Sequence, residues 1–497
     1  MNQAAGDAAN RTSAPTPVAL AALSAGTVAG LLLVGLPPGV NWLLVAAAVA
    51  AAVLSVAWRT LSTNALIFGG LSLVLTATAV YTAAEWQLVL NLLIALGLAS
   101  LAVAPAQTWI EFLLGFGAAW WRSPGALAWL LRMRHSRPAP EAASATLRLA
   151  RGFALGAFLL VVFGALFASA DQAFAQLADR VLAVPDVNYD LLPARLVVAG
   201  TVALFAATLA SFTPALGVGR GGPVEWIAGI RAELGEPKSR RLGRTEWITA
   251  LSMLDALFAF FVVVQITVLF GGREHVLDTS ELTYAEYARN GFFQLVSVAA
   301  LTLLVLGFVA RFAQRTRSRD VLLLKVLGGV LVALTLVVLA SALKRLSLYE
   351  EVYGFTRLRL VVHAAILWLA AMFGILTVAG IRSNARWVPR AVIVVSALSL
   401  LAFTLIRPDA VIAARNVERF QETGKIDLSY LGALSPDAVP ALAKLPEPER
   451  SCALVGLRYE LAESESLWSL NLARDTAREV LNNTPESASA LQSCPHR

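Results

Sequence analysis

Residues 321–342 read VLLLKVLGGVLVALTLVVLASA, a run of 22 positions with one charged side chain, Lys325. At 1.5 Å per residue, a helix of this length covers the ~30 Å hydrocarbon core of a bilayer. The run has no alternation of apolar and polar positions, so it does not read as a barrel strand. In hydrocarbon a helix is then required, because it satisfies its backbone groups within its own segment. Ten further runs of the same kind flank it, at 16–36, 39–58, 64–83, 87–104, 152–170, 196–216, 247–270, 291–310, 360–380 and 388–406. The expected fold is an all-α integral membrane protein, a polytopic bundle of about eleven transmembrane helices with a small helical extracytoplasmic C-terminal tail.

Composition points the same way. Of 497 residues, 58% are hydrophobic and only 15% charged, with a mean hydropathy of +0.68. Soluble domains carry about 25% charged residues, so a soluble chain of this length would lack the charge to cover its surface. The net charge of +7 reads as basic loops held at one membrane face, not as a nucleic-acid footprint. The excess of Arg over Lys and the abundance of Ala suggest a GC-rich bacterial source.

Loop charge sets the orientation. With the N-terminus inside, the inner connections 1–15, 59–63, 105–151, 217–246, 311–320 and 381–387 hold twenty Lys and Arg residues, against eight in the outer connections. The outer segments also hold acids, among them Asp171, Asp186, Glu274, Glu281, Glu350 and Glu351. This positive-inside asymmetry places the protein in a bacterial cytoplasmic (plasma) membrane with the tail outside. The first run has no small-residue cleavage site before Pro37 and reads as a retained helix.

Five segments follow: a cytoplasmic N-terminus (1–15), four helices (16–104), a basic Trp-rich stretch (105–151), a seven-helix core (152–406) and the tail (407–497). Trp109, Trp120, Trp121 and Trp129 beside Arg122, Arg132 and Arg134 suit a helix in the headgroup layer. Anionic lipid headgroups are the expected partners of this segment and of the Gly- and Arg-rich loop 217–246. After Arg407-Pro408 the chain turns polar, with amphipathic runs near 409–421, 436–444, 448–462 and 466–482. Ser435 and Ser451 are expected caps of the second and third. Cys452 and Cys494, the chain's two cysteines, both fall in this tail. On an outer face they suit a disulfide; two unrelated thiols are the alternative.

Site chemistry is sparse. His135, His275, His363 and His496 are scattered, and no spacing with cysteines or acids makes a metal site. There is no phosphate-cradling Gly-rich loop ending in Gly-Lys-Ser/Thr and no Gly-x-Ser-x-Gly elbow. The first outer loop, Pro37 to Asn41, lacks the acids of a lipid-sugar glycosyltransferase. Glu350-Glu351 lacks the close Arg and helical histidines of an intramembrane glutamate protease. No cofactor, metal or enzymatic activity is expected. Intramembrane polar residues are Asp255, Gln265, Lys325 and His363. Asp255 reads either as a proton or cation site, with Lys325 as partner, or as a structural interhelical contact with Lys325 reaching the headgroups. His363 reads as a satisfied polar contact.

The densest cluster of unusual residues is outside. Leu282 to Gln294 carries Tyr284, Glu286, Tyr287 and Arg289; Leu348 to Arg359 carries Tyr349, Glu350, Glu351, Tyr353, Arg357 and Arg359. Each has tyrosines, glutamate, arginine and a Gly-Phe before a helix turns inward. Tyr349 and Tyr353 share a helix face, as do Tyr284 and Tyr287. The cluster reads either as an outward pocket for a polar ligand or as interface anchors, with Thr283 and Glu286 a capping box.

These stretches also carry a resemblance. Leu-Thr-Tyr-Ala-Glu-Tyr-Ala-Arg-x-Gly-Phe-Phe-Gln-Leu at 282–295 resembles the signature of an uncharacterised bacterial multi-pass membrane family, a domain of unknown function. So does Arg-Leu-x-Leu-Tyr-x-x-x-Tyr-Gly-Phe-Thr-x-Leu-Arg at 345–359. Pro408-Asp409-Ala410, Asp427 to Leu431 and Asp437 to Pro440 fit it as well. The resemblance spans about 150–445 and implies the architecture, but no activity, substrate or catalytic residue. The sequence expectation is a non-enzymatic protein that recognises a ligand or an envelope protein partner through the outer cluster and tail. A secondary transporter or channel using Asp255 is the alternative, and a membrane enzyme the weakest.

Overall fold

A computed structural model describes residues 16–57, 61–104, 108–121, 123, 126, 191–211, 242–270, 292–382, 385–462, 466–485 and 494. The expected span 152–170, most of the two basic loops, and the cluster residues Tyr284, Glu286, Tyr287 and Arg289 lie outside them. Among the described residues there is no β-strand, and eight helices are long and apolar enough to cross a membrane. These are α3 (Thr63–Tyr81), α4 (Glu85–Val103), α6 (Leu192–Ser211), α7 (Arg244–Phe270), α8 (Phe292–Phe312), α9 (Ser318–Tyr353), α10 (Arg357–Arg382) and α11 (Val388–Leu405). Two shorter apolar helices, α1 (Thr16–Leu32) and α2 (Val40–Ala57), precede them. Between α4 and α6 runs the short helix α5 (Trp109–Phe116). The chain is a multi-pass, membrane-embedded protein.

It divides into two compact units. The first holds α1, α2, α3, α5, α6 and most of α4, joined by residues 464–472 of the tail. Its tightest contact is α1 against α6, made possible by small residues. Ala22, Ala25, Ala206, Ala207 and Ala210 are buried there. A Cβ on Gly30 would lie 2.7 Å from the Arg195 carbonyl oxygen, and one on Gly26 would lie 2.6 Å from the Ala203 Cβ. Gly26-Thr-Val-Ala-Gly30 is thus a small-xxx-small seam that lets two backbones approach in lipid. In α5, Thr108 and Glu111 form a capping box, while Trp109, Ile110 and Leu113 are exposed.

The second unit centres on α7 to α11, whose core includes Trp247, Leu251, Phe258, Leu331, Leu346 and Phe373. At one end Arg244 Nε meets Asp320 Oδ1 at 2.8 Å. The Trp368 indole donates to Ser396 Oγ at 2.9 Å and ties α10 to α11. The tail then folds on its own core of Ile412, Val417, Leu431, Val439, Leu442, Leu454, Leu457 and Leu481, onto which Phe355 and Leu360 pack. Each such side chain taken from water contributes about 1.5–3 kcal/mol.

The tail departs in detail from the sequence expectation. Its helices are α12 (Pro408–Thr423), α13 (Leu428–Gly432), a turn at Val439–Leu442, α14 (Glu449–Glu460) and α15 (Leu472–Asn482). Gly424, at φ +68°, ends α12, and α13 was not expected. Ser451 sits inside α14, so it is not a cap; Ser435 precedes a 3-10 turn and its hydroxyl bonds Asp437. The expected run 466–482 splits into a 3-10 turn at Leu467–Ser469 and α15.

Candidate functional site

The site starts from the length of α9. Its apolar run ends near Ala342, yet the helix continues through Lys344, Arg345 and Tyr349 to Tyr353. The stretch 343–353, expected as an outer connection in which Tyr349 and Tyr353 share a helix face, continues the spanning helix without a break, because its residues are good helix formers and nothing breaks them before Gly354. Thirty-six residues give about 54 Å of helix, well beyond a hydrocarbon core. Gly354, at φ +79°, stops it, and its N–H donates to the Glu350 carbonyl at 2.8 Å. A side chain at Gly354 would collide with Asn416 Oδ1, so both conformation and space require glycine there. Three residues later α10 begins at Arg357.

The tail grips this corner. Asn416 of α12 accepts from the Phe355 N–H at 3.1 Å and donates to the Phe355 carbonyl at 2.9 Å. Arg419 donates to the Val352 carbonyl at 2.5 Å and the Glu351 carbonyl at 3.3 Å, occupying acceptors that the end of α9 leaves open. Arg357 donates from Nε to Asp409 Oδ1 at 2.9 Å and from Nη2 to Oδ2 at 2.6 Å. The Arg357 N–H donates to the Tyr430 hydroxyl at 2.7 Å, and the Ser435 N–H donates to Asp409 Oδ2 at 2.9 Å. The guanidinium lies 5.9 Å from the Trp86 ring.

Asp409 is fully buried. Burial alone would raise its carboxyl, but Arg357 and the Ser435 amide outweigh that and hold it below the usual carboxylate range. Burial pushes the Tyr430 phenol up, which keeps it a neutral hydroxyl. Asp427 in turn positions Tyr430: it accepts the Tyr430 N–H at 3.0 Å and the Ser429 hydroxyl at 2.8 Å. Those two bonds hold the Asp427 carboxyl low. Arg407, in the left-handed region at φ 50°, turns the chain out of α11, with its Nε 3.6 Å from Asp437.

The expected candidates thus divide. Glu350 is buried, with Oε1 3.3 Å from His363 Nδ1. Tyr349 and Tyr353 lie ring to ring at 4.9 Å, and Arg359 covers Tyr349 at 4.2 Å. Glu351 and Tyr353 are exposed. At the other end of the bundle, Lys325 donates to the Ile381 carbonyl at 3.4 Å. Asp255 is buried on α7, and among the described residues neither of its carboxylate oxygens has a hydrogen-bond partner. Gln265 lies on α7. Cys452 and Cys494 are joined as a disulfide with Cα atoms 5.5 Å apart. Among the described residues, no three His, Cys, Asp or Glu side chains form a metal-binding group. The sequence did not single out Asp409, Asn416, Arg419 or Tyr430 as partners of the corner; two of them lie in family-like pieces, but no spacing rule connects residues 52 to 73 positions apart.

Over residues 69–445 the chain matches the family described as Domain of unknown function (DUF4153). The chain belongs to this family. No curated protein and no solved structure matches it. The DUF4153 match starts within α3, earlier than the resemblance at 150–445 implies. It takes in the α9–α10 corner and its tail partners Asp409, Asn416, Arg419, Tyr430 and Ser435. It stops before α14, the disulfide and residues 466–472.

Proposed function

We propose that this DUF4153 protein is a non-enzymatic recognition protein of the bacterial plasma membrane, serving sensing or envelope assembly. Its tail lies outside, and the tail and the α9–α10 corner together present one rigid surface to a partner. The observation that carries this reading is the set of contacts between corner and tail, with Arg357 and Asp409 at its centre. So many charge-assisted bonds fix a small helical domain in one pose, which is what a recognition surface needs. Arg357 serves the inside of this clamp and Glu350 faces His363, so the exposed Glu351 and Tyr353 are the cluster residues offered to a partner. The outer location is supported by the loop-charge asymmetry and by a disulfide in the tail. The test is a photo-crosslinking amino acid in place of Tyr353 in living cells. A discrete adduct with a second envelope protein, lost when Arg357→Ala is added, supports the reading. Adducts with lipid or with the protein itself alone overturn it.

A second reading rests on Asp255, a buried acid in a membrane-spanning helix with no hydrogen-bond partner among the described residues. Such a group is costly in hydrocarbon and suits a proton or cation path. Proton-coupled solute uptake into proteoliposomes that Asp255→Asn abolishes would favour a transporter. Uptake unchanged by Asp255→Asn would remove this role for the acid.

A further inference from the structure

Residues 466–472 belong to the same compact unit as α1, α2 and α3, and their side chains fall into two opposite classes. Ser469 and Asn471 are fully buried, whereas Leu467 is 84% exposed, Trp468 54%, Leu470 38% and Leu472 48%. The buried pair seats the segment on helix ends. The N–H of Val40, first residue of α2, donates to the Leu470 carbonyl at 3.1 Å. Asn471 Nδ2 donates to the carbonyls of Ala79 and Thr82, at 2.8 and 2.9 Å, where α3 finishes. Gly39 has no room for a side chain, because its Cβ would lie 2.6 Å from the Leu470 carbonyl oxygen.

The end of a spanning helix marks the border between hydrocarbon and headgroups. The segment is therefore pinned at that border, with one tryptophan and three leucines facing away from the protein. Leu31 of α1 and Leu44 of α2, near the same helix ends, are also exposed. Tryptophan favours this zone because its ring is apolar and its N–H is polar.

We propose that Leu467, Trp468, Leu470 and Leu472 form an interfacial anchor that inserts into the adjoining bilayer leaflet, with the boundary between headgroups and acyl chains as its ligand. The anchor rests on the helices spanning a bilayer and not on partner recognition, so the two stand or fall separately. It also lies outside the family match at 69–445.

The test uses the full chain in lipid nanodiscs. The native cysteines are paired with each other, so a single added cysteine, Leu467→Cys, takes a nitroxide label, and Glu479→Cys on the exposed side of α15 is the solvent control. Collision rates with dissolved oxygen and with a water-soluble nickel chelate are measured by power saturation. The anchor predicts several-fold less nickel access and greater oxygen access at 467 than at 479. Equal nickel access at the two sites would overturn it. So would shielding of 467 from both reagents, which would mean protein cover. If Leu467→Cys does not fold, Leu472→Cys gives the same reading.

Discussion

Arg357 and Asp409 face each other across 52 residues of sequence as a two-point ion pair, Nε to Oδ1 at 2.9 Å and Nη2 to Oδ2 at 2.6 Å. The planar guanidinium fork matches both carboxylate oxygens, a geometry no other side chain reproduces. Between the two residues lie α10 and α11. The pair therefore closes a helical hairpin at its open end and seats the first turn of the tail on the start of α10.

Breaking this pair should loosen the tail. Arg357→Ala leaves Asp409 buried with the Ser435 amide still donating to it. Stripping a buried charge of its ionic partner costs on the order of 3 kcal/mol, somewhat less here because the Arg357 side chain is 35% exposed and the Ser435 amide remains. Thermal unfolding of purified protein, with proteolysis of the tail as a second readout, should show this loss. Arg357→Lys should recover only part, since one ammonium cannot fork. Wild-type stability in both variants would contradict the clamp.

Acid should weaken the same contact. The folded-state Asp409 carboxyl lies below its unfolded value of about 3.9, so its stabilisation is present above that value and is lost as pH falls through the folded one. The Arg357 charge is constant over this range. Tail stability should thus be flat with respect to Asp409 from pH 7 to about 5, and then decline below about 4. Asp409→Asn should flatten the acid limb. An acid limb equally steep in that variant would assign the loss to other carboxylates.

In the first unit, the α1–α6 seam should reject bulk. Gly26→Leu places a branched side chain where the Ala203 Cβ already sits 2.6 Å from a bare Cβ. Overpacking of this kind costs about 1–3 kcal/mol. A lowered melting temperature in detergent is expected, whereas Gly70→Leu, with open space around it, should have a much smaller effect.

Removing the disulfide should act on the tail alone. The bridge closes a loop of 42 residues, which by loop-closure entropy stabilises the fold by about 4 kcal/mol. Cys452→Ser should make the tail more protease-sensitive without changing the helical content of the bundle, read by circular dichroism. Equal resistance with and without the bridge would contradict this.

The apolar runs made most of the fold legible, because the ~30 Å of hydrocarbon imposes a length that sequence alone reveals. Ten of the eleven expected runs coincide with helices, eight of which meet the length and hydropathy of a span. The far end of α9 was hidden because Lys344, Arg345 and Glu350 end the apolar signal without ending the helix. Asp409 and Tyr430 were hidden for a different reason: their partner Arg357 is remote in sequence, and pairing across two spanning helices leaves no periodicity. Tyr349 and Tyr353 were placed together because four-residue spacing is a local helical property. Ser451 misled as a cap because the helix-start preference of serine is a tendency that Pro448 and Glu449 pre-empt at the start of α14.

Thiol chemistry in intact cells distinguishes a folded tail on the outer face from one in the cytoplasm. A membrane-impermeant maleimide is applied with and without prior reduction by an impermeant phosphine. Labelling of Cys452 and Cys494 only after reduction, with no need to permeabilise, is the expected result. Labelling that requires permeabilisation would place the tail in the cytoplasm and rule out an outward recognition surface.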